Sequence, residues 1–199
     1  VVSLRQISEI FKTIFSSLNV DNQFIELANE VDEAIKNYAI FERKDFGKIY
    51  ALEIDGFGNA LFMDDANVPN LLSIPYLGYT SYHDEIYKNT RKFSLSTANP
   101  WFNEGKFAKG IGGPHVGENK IWPLGLIMQA LTTDDDEEIF YCLKTLKNTH
   151  AGTGFIHESF DVNNPKDFSR SWFAWANTLF GELILHLYEK KPEILKRKF

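Results

Sequence analysis

The chain has 199 residues, of which 44% are hydrophobic and 24% are charged, a composition typical of a folded globular domain. Its formal net charge of −6 argues against a nucleic-acid partner, because such binding requires a basic surface. The sequence contains no apolar run near the roughly 20 residues that cross a bilayer, and no signal peptide is recognisable. We therefore expect a single cytoplasmic domain that makes no membrane contact.

Two helices are predicted at the start of the chain. Apolar residues recur at helical spacing from Ser3 to Phe15. Asp21 is a suitable N-cap for a second helix that ends near Tyr38, and Val20 could act as its hydrophobic staple. Because the first residue is not Met and the first helix begins without a cap or leader, we expect the natural chain to extend further upstream.

A β-hairpin is predicted next. The segments Ile49–Ile54 and Ala60–Met63 flank the turn sequence Asp55-Gly56-Phe57-Gly58-Asn59. A short helix is predicted at about Asn70 to Ile74, with Pro69 in its first turn. No other strand is expected in the chain.

Four longer helices are predicted after the hairpin, and three of them span residues 84–93, 121–131 and 169–190. The remaining one, third in chain order, is capped by Thr133 and has the acidic run 134–138 in its first turn. The third of these contains the single cysteine, Cys142, which we expect to be buried and inert. The connection from Ser94 to Lys120 is rich in Gly, Pro and Asn, and a loop of that length is usually functional.

The order of short and long connections predicts an arrangement of helical hairpins. Short connections follow the first, third and fifth helices, whereas long ones precede the third, fifth and seventh. Antiparallel hairpins connected in this way bring all the long loops to one end. That end would collect three polar clusters: Asp64 with Asp65, His115 with Trp122, and His157 with Glu158. The predicted fold is therefore all-α, an incomplete toroid of seven helices with a small β-hairpin.

The segment Thr153-Gly154-Phe155-Ile156-His157-Glu158-Ser159-Phe160 holds the most informative candidate, Glu158. It places a carboxylate beside an imidazole, between glycines and aromatic residues, in a loop that is expected to open the last helix. Such a carboxylate can act as a general base or accept hydrogen bonds from a polyhydroxylated ligand. The alternative interpretation is a simple solvated glutamate.

The other two clusters also allow two interpretations. Asp64, Asp65 and Asn67 are residue types that cap helices, and the same geometry would let them contact a ligand. His115 lies in the glycine-rich loop Gly112-Gly113-Pro114-His115-Val116-Gly117, which lacks apolar periodicity, so a site role is favoured over a core role.

Trp122 opens a helix at the predicted rim and is the best candidate for stacking on a sugar. At least one of Trp172 and Trp175, three apart on the last helix, is expected in the core. His115, His157 and Glu158 could hold a metal, but the chain has no metalloprotease-type histidine pair and no second cysteine. We expect no metal and no cofactor.

Five motifs in the chain resemble glycoside hydrolase family 125. They are Asp55-Gly56-Phe57-Gly58-Asn59, Met63-Asp64-Asp65-Ala66-Asn67-Val68-Pro69, Gly110-Ile111-Gly112-Gly113-Pro114-His115-Val116-Gly117, Gly154-Phe155-Ile156-His157-Glu158-Ser159-Phe160 and Trp172-Phe173-Ala174-Trp175-Ala176-Asn177. The motifs extend through nearly the whole chain and are jointly specific for the family.

The resemblance implies a metal-independent exo-α-1,6-mannosidase that is built on an (α/α)6 toroid and inverts the anomeric configuration. It also implies that Glu158 is the general base. The family's general acid is an aspartate in an Arg-Pro-Ser-Asp-Asp stretch just upstream of the segment that matches Val1. We therefore expect residues 1–199 to be the C-terminal part of one catalytic domain, to need the upstream half as partner, and to be inactive alone.

Inverting glycosidases hold two carboxyl groups roughly 6.5–9.5 Å apart, with water between the base and the sugar. In this scheme Asp64, Asp65, Asn67 and His115 would bind hydroxyls of a mannose-containing oligosaccharide or N-glycan fragment, and Trp122 and His157 would shape the pocket. Asp65 is the only substitute acid within the chain. The alternatives are a non-catalytic glycan-binding module and an (α/α)6 glycosidase of other specificity, such as a glucosidase.

Overall fold

The computed structural model describes residues 1–14 and 21–198, with the side chain of Asp21 excluded. This part of the chain contains seven helices: α1 Val2–Ile14, α2 Asp21–Tyr38, α3 Glu85–Ser94, α4 Pro123–Leu131, α5 Asp136–Asn148, α6 Ala174–Lys190 and α7 Pro192–Leu195. The predicted helix end at Phe15, the Val20 staple and the cap formed by the Asp21 side chain lie outside the described residues.

Within the same residues, nine short strands accompany the helices: β1 Ile40–Arg43, β2 Gly47–Tyr50, β3 Glu53–Ile54, β4 Ala60–Leu61, β5 Phe102–Glu104, β6 Lys109–Ile111, β7 Lys120–Ile121, β8 Ser159–Asp161 and β9 Asn164–Ser169. They form three antiparallel pairs, β1–β2, β3–β4 and β5–β6, and one three-stranded sheet in the order β7-β8-β9. The all-α prediction is therefore too simple, since the described residues combine helices with four small sheets.

The predicted hairpin is present only at its tip, where β3 pairs with β4 around the turn 55–59. Ile49 and Tyr50 belong instead to the separate β1–β2 hairpin. The helix predicted at Asn70–Ile74 is wrong, because residues 66–80 form bends and turns. Some of their backbone N–H groups are satisfied by side chains, as where Asn70 accepts from Ser73 over 2.8 Å.

Helix α4 is the centre of the hydrophobic core. Eight of its nine residues are buried, and it packs against α5 on one side and α6 on another. A helix that is apolar on nearly all sides is stable only when it is buried. Other core elements therefore surround α4. Cys142 of α5 is buried in the same core, as predicted, and burial raises the pKa of its thiol.

The helix starts differ from their predictions by a few residues. Asp135, rather than Thr133, is the N-cap of α5, and its carboxylate accepts from the N–H groups of Glu137 and Glu138 at 2.9 and 3.2 Å. Helix α6 begins at Ala174 rather than near Ser169, because residues 164–169 pair with β8 as a strand. Pro192 ends α6, as predicted, and also starts α7.

Apolar side chains remain exposed on helices near both ends of the chain. They are Ile7, Ile10 and Ile14 on α1, Leu27, Val31 and Tyr38 on α2, and Trp175, Leu185 and Tyr188 on α6. Trp172 is also more than half exposed, so the prediction that Trp172 or Trp175 is a core residue is wrong for this part of the protein. None of the described helices is both long and apolar enough to cross a bilayer.

Candidate active site

The three-stranded sheet fixes the position of Glu158. Strand β8 pairs with β7 on one side and β9 on the other, with Phe160 opposite Ile121 and Phe168. Glu158 directly precedes β8, and its backbone N–H donates to the carbonyl of Ser169 over 3.3 Å. The expectation that Glu158 lies in a loop opening the last helix is therefore corrected, since it lies at the start of the central strand of this sheet.

The Glu158 side chain is held rather than freely solvated, and only 15% of it is exposed. Its Oε2 accepts a hydrogen bond from the Ser169 hydroxyl over 2.8 Å. Its Oε1 lies 3.4 Å from a guanidinium nitrogen of Arg170. The carboxylate thus has one oxygen anchored by a hydroxyl and the other next to a cation.

His157 is buried beside this carboxylate. Its ring stacks on that of Phe168, and its Nδ1 lies 3.1 Å from the carbonyl oxygen of Ser171. A carbonyl can only accept, so Nδ1 carries the hydrogen and Nε2 of the neutral ring is an acceptor. That Nε2 is buried without a hydrogen-bond partner among the described residues.

Trp122 forms a second wall of the same region. It is the N-cap of α4, and its backbone N–H donates to the carbonyl of Ile111 over 3.0 Å. Its ring packs edge-on against Phe173, with ring centroids 6.0 Å apart. Its ring is buried, and its indole Nε1 has no hydrogen-bond partner in the described part of the chain. The guanidinium of Arg170 lies 5.5 Å from the Phe173 ring centroid, which links this wall to Glu158.

Asp64 is fully buried, and its carboxylate fixes the turns that follow it. Oδ1 and Oδ2 accept from the N–H groups of Leu71 and Leu72 at 2.9 and 3.0 Å. Burial raises the pKa of this carboxyl to about 7, and these two hydrogen bonds oppose the rise. Both oxygens therefore accept backbone hydrogen bonds in the interior, where Asp64 stabilises turns rather than capping the predicted helix.

Asp65 and Asn67 are half-buried in the next turn, where Asp65 accepts from the N–H of Asn67 over 2.8 Å. This turn lies against the glycine-rich loop, because the N–H of Ala66 donates to the Gly112 carbonyl over 2.9 Å. A Cβ placed on Gly113 would lie 3.5 Å from the Cβ of Asp65. Two clusters far apart in sequence are therefore neighbours.

A continuous path of contacts joins the three predicted clusters. It passes from the turn at Asp65 through Gly112 and Trp122 to Phe173, whose N–H donates to the Ile156 carbonyl over 3.2 Å, two residues before Glu158. His115 is exposed on the glycine-rich loop, off this path. A common cleft for Asp65, His115 and Glu158 stays a prediction.

The metal alternative required His115, His157 and Glu158 to meet. Among the residues that the structure describes, no group of three or more His, Cys, Asp or Glu side chains is placed to hold a metal ion.

Comparison with protein families gives a match over residues 1–185 to the family model described as metal-independent alpha-mannosidase (GH125). The chain belongs to this family. The match covers every motif that carries the resemblance in sequence, from the hairpin turn to the Trp-rich start of α6.

Two relatives of this GH125 chain illustrate the match. The meiotically up-regulated gene 157 protein of Schizosaccharomyces pombe is 54% identical over 171 residues, which are 85% of this chain and 34% of that protein. A solved structure from Streptococcus pneumoniae aligns with a TM-score of 0.89 and 44% identity, over 96% of this chain and 45% of the other. It represents a metal-independent alpha mannosidase in a non-productive complex with alpha-1,6-mannobiose. The chain thus spans less than half the length of either relative.

Three residues around Glu158 in this GH125 chain escaped the sequence analysis: Phe168, Ser169 and Arg170. The last helix was predicted to begin at about Ser169, whereas Phe168 and Ser169 end β9 and Arg170 follows it. The run Asn163-Asn164-Pro165 is a turn signal that could have separated Ser159–Asp161 from a second strand.

Proposed function

We propose that this chain is the C-terminal part of the catalytic domain of an exo-acting α-mannosidase. The substrate is a terminal α-1,6-linked mannose of an oligosaccharide or N-glycan fragment, and hydrolysis inverts the anomeric configuration. Membership of the GH125 family supports this reaction, as does the alpha-1,6-mannobiose bound to the Streptococcus pneumoniae relative.

The proposal rests mainly on the observation that the Glu158 carboxylate is held in place by its neighbours. In an inverting mechanism the base accepts a proton from the water that attacks the anomeric carbon, while an acid protonates the leaving oxygen. Glu158 is suited to the base because its Oε2 is anchored by Ser169 and its position is fixed by a sheet. The general acid comes from the upstream segment, so the isolated chain is expected to be inactive.

Substrate binding is assigned to the groups around this carboxylate. Asp65, Asn67 and His115 would bind mannose hydroxyls, since carboxylate, amide and imidazole groups all make hydrogen bonds with hydroxyls. Nε2 of His157 and the indole Nε1–H of Trp122 are buried without hydrogen-bond partners in the described chain. We expect each to bind either the sugar or a residue of the upstream half. Asp64 would act through the turn that carries Asp65 and Asn67.

The upstream half is proposed to complete an (α/α)6 toroid with the seven helices described above. Exposed apolar side chains lie on α1 and α2 near the start of the chain and on α6 near its end. Exposed apolar residues that cluster on helices often mark an interface. An upstream segment that contacts both ends would bury these faces and close the ring.

The test uses the complete protein with α-1,6-mannobiose as substrate. Glu158→Gln keeps the shape of the side chain but removes the proton acceptor, and a positioned base contributes about 10²–10⁴-fold to rate. We expect kcat to fall by that order with KM nearly unchanged. Glu85→Gln, at an exposed position in the first turn of α3, is the matched control and should retain wild-type kcat.

Three outcomes would overturn the proposal. Wild-type kcat in Glu158→Gln would exclude this glutamate as the base. Sugar binding without hydrolysis by the complete wild-type protein would indicate a glycan-binding module. Faster hydrolysis of an α-1,6-linked glucose disaccharide than of α-1,6-mannobiose would indicate a glucosidase. NMR of the first-formed sugar tests inversion, for which the β-anomer of mannose is expected.

A further inference from the structure

We propose that Ser159 and Ser169 form a hydroxyl relay that positions the Glu158 carboxylate. The inference rests on the proposed role of Glu158 as base. The Ser169 Oγ lies 2.8 Å from Oε2 of Glu158, and the Ser159 Oγ lies 2.7 Å from the Ser169 Oγ. The three side chains therefore form a continuous hydrogen-bonded chain that ends on the carboxylate.

The direction of each hydrogen bond follows from counting hydrogens. An ionised carboxylate only accepts, so Ser169 uses its one hydroxyl hydrogen on Glu158. Ser159 must then donate its own hydrogen to the Ser169 oxygen. Hydrogen bonds aligned in this way polarise one another, and a bond to a charged acceptor is stronger than one between neutral groups. The relay therefore fixes Oε2, while Oε1, next to the Arg170 guanidinium, keeps an acceptor site for the proton from water.

The strand register builds the relay. Ser159 on β8 and Ser169 on β9 are directly opposite each other in the antiparallel pair. Directly opposite side chains point to the same face of a sheet, close enough to interact. The irregularity of this pair falls between Phe160 and Asp161, beyond the two serines. Ser159 is completely buried, so water does not compete for its hydroxyl.

Arg170 adds a second constraint on the same carboxylate. Its backbone has a φ of 45°, a conformation that is uncommon for a residue other than glycine. Local strain of this kind persists where surrounding contacts enforce it and is concentrated at functional sites. The turn it makes at the end of β9 leaves the guanidinium 3.4 Å from Oε1 of Glu158 and over the Phe173 ring. Ser169 and Arg170 thus constrain one carboxylate oxygen each.

The first test is Ser169→Ala in the complete protein, assayed with α-1,6-mannobiose. Loss of a hydrogen bond to a charged group predicts a fall in kcat of about 10- to 100-fold. KM should change little, because Ser169 is not assigned to the sugar. Ser169→Thr keeps the hydroxyl and should recover most of the lost rate. Thr97→Ala, which removes a hydroxyl at an exposed position, is the control and should leave kcat unchanged.

A double-mutant cycle separates positioning from structural support. If Ser169 acts through Glu158, Ser169→Ala should cause no further loss in a Glu158→Gln background. An equal loss in both backgrounds would overturn the relay, as would wild-type kcat in Ser169→Ala when Glu158→Gln is impaired. Wild-type kcat in Glu158→Gln would instead reject the proposed base itself. Ser159→Ala should reduce kcat less than Ser169→Ala, and the two losses should not multiply in the double variant.

Discussion

The imidazole of His157 lies flat on the phenyl ring of Phe168, with ring centroids 3.9 Å apart and an interplanar angle of 3°. His157 immediately precedes Glu158, and Phe168 of β9 immediately precedes Ser169. The stacking therefore connects the two short segments that hold the proposed base and its hydroxyl partner.

Phe168→Ala should weaken both stability and catalysis in the complete protein. The change removes a half-buried aromatic ring and its stacking contact, at a cost of about 1–3 kcal/mol in the free energy of unfolding. Because His157 adjoins Glu158, kcat should fall as well. Phe168→Tyr keeps the stacked ring and serves as the control. Unfolding by denaturant and kcat on α-1,6-mannobiose measure the two effects, and unchanged kcat in Phe168→Ala would contradict the link to the site.

Asp64 should make the stability of the protein depend on pH. Burial raises its pKa from 3.8 to about 7 in the folded state, so between these values the folded protein holds a proton that the unfolded chain releases. The stability from this proton is fully present below about pH 4 and is lost as the pH rises through 7, by roughly 4 kcal/mol.

Asp64→Asn removes this titration. Its free energy of unfolding should therefore fall less than that of wild type between pH 4 and 7. Denaturant titrations at several pH values measure the difference between the two proteins. A difference that stays constant over that range would show that Asp64 does not take up a proton on folding.

Gly112 should not tolerate a side chain. A Cβ at this position would overlap the carbonyl oxygen of Lys120, which is backbone and cannot move aside cheaply. Gly112→Ala should destabilise the complete protein by about 1–3 kcal/mol or more, as overpacking does. The matched control is Gly113→Ala, whose Cβ would meet only Asp65 at an ordinary 3.5 Å. Equal melting temperatures for the two variants would contradict the close approach at Gly112.

Leu185 tests whether the upstream half covers α6. Its side chain is 67% exposed in residues 1–199, and a leucine that stays exposed contributes little to stability. If the upstream half packs on this face, Leu185→Ser should cost the complete protein about 2 kcal/mol or more. Lys144→Ser, at an exposed position on α5, should cost less than about 0.5 kcal/mol. Equal costs for both variants would argue against a ring closed at α6.

A chelator should leave the rate of the complete protein unchanged. The family is described as metal-independent, and the proposed mechanism uses a carboxylate to activate water. EDTA treatment followed by a kcat measurement on α-1,6-mannobiose checks this expectation. A loss of rate that added divalent metal restores would overturn it.

The amino-acid sequence was sufficient to predict most of the long helices. The apolar periodicity within α2 and α4 predicts helices whose bounds agree with the structure to within a few residues, and the predicted starts of α1 and α5 agree equally well. The family resemblance was also recognisable from sequence, because the motifs that contain Asp65, His115 and Glu158 are each a continuous stretch of the chain. The role of Glu158 as base was implied by the resemblance to the family, which its motif His157-Glu158-Ser159-Phe160 helps to carry.

Tertiary structure decided the small sheets and the surroundings of Glu158. Strands of two to six residues contain too little alternation to be recognised, and β7 pairs with β8 across roughly 40 residues of chain. Ser169 and Arg170 reach Glu158 only because β9 folds back on β8, an interaction that overrides the helical pattern beyond it. Burial of Asp64 likewise depends on the packing of distant segments. Local sequence therefore determined which groups are available, and long-range pairing decided which of them contact Glu158.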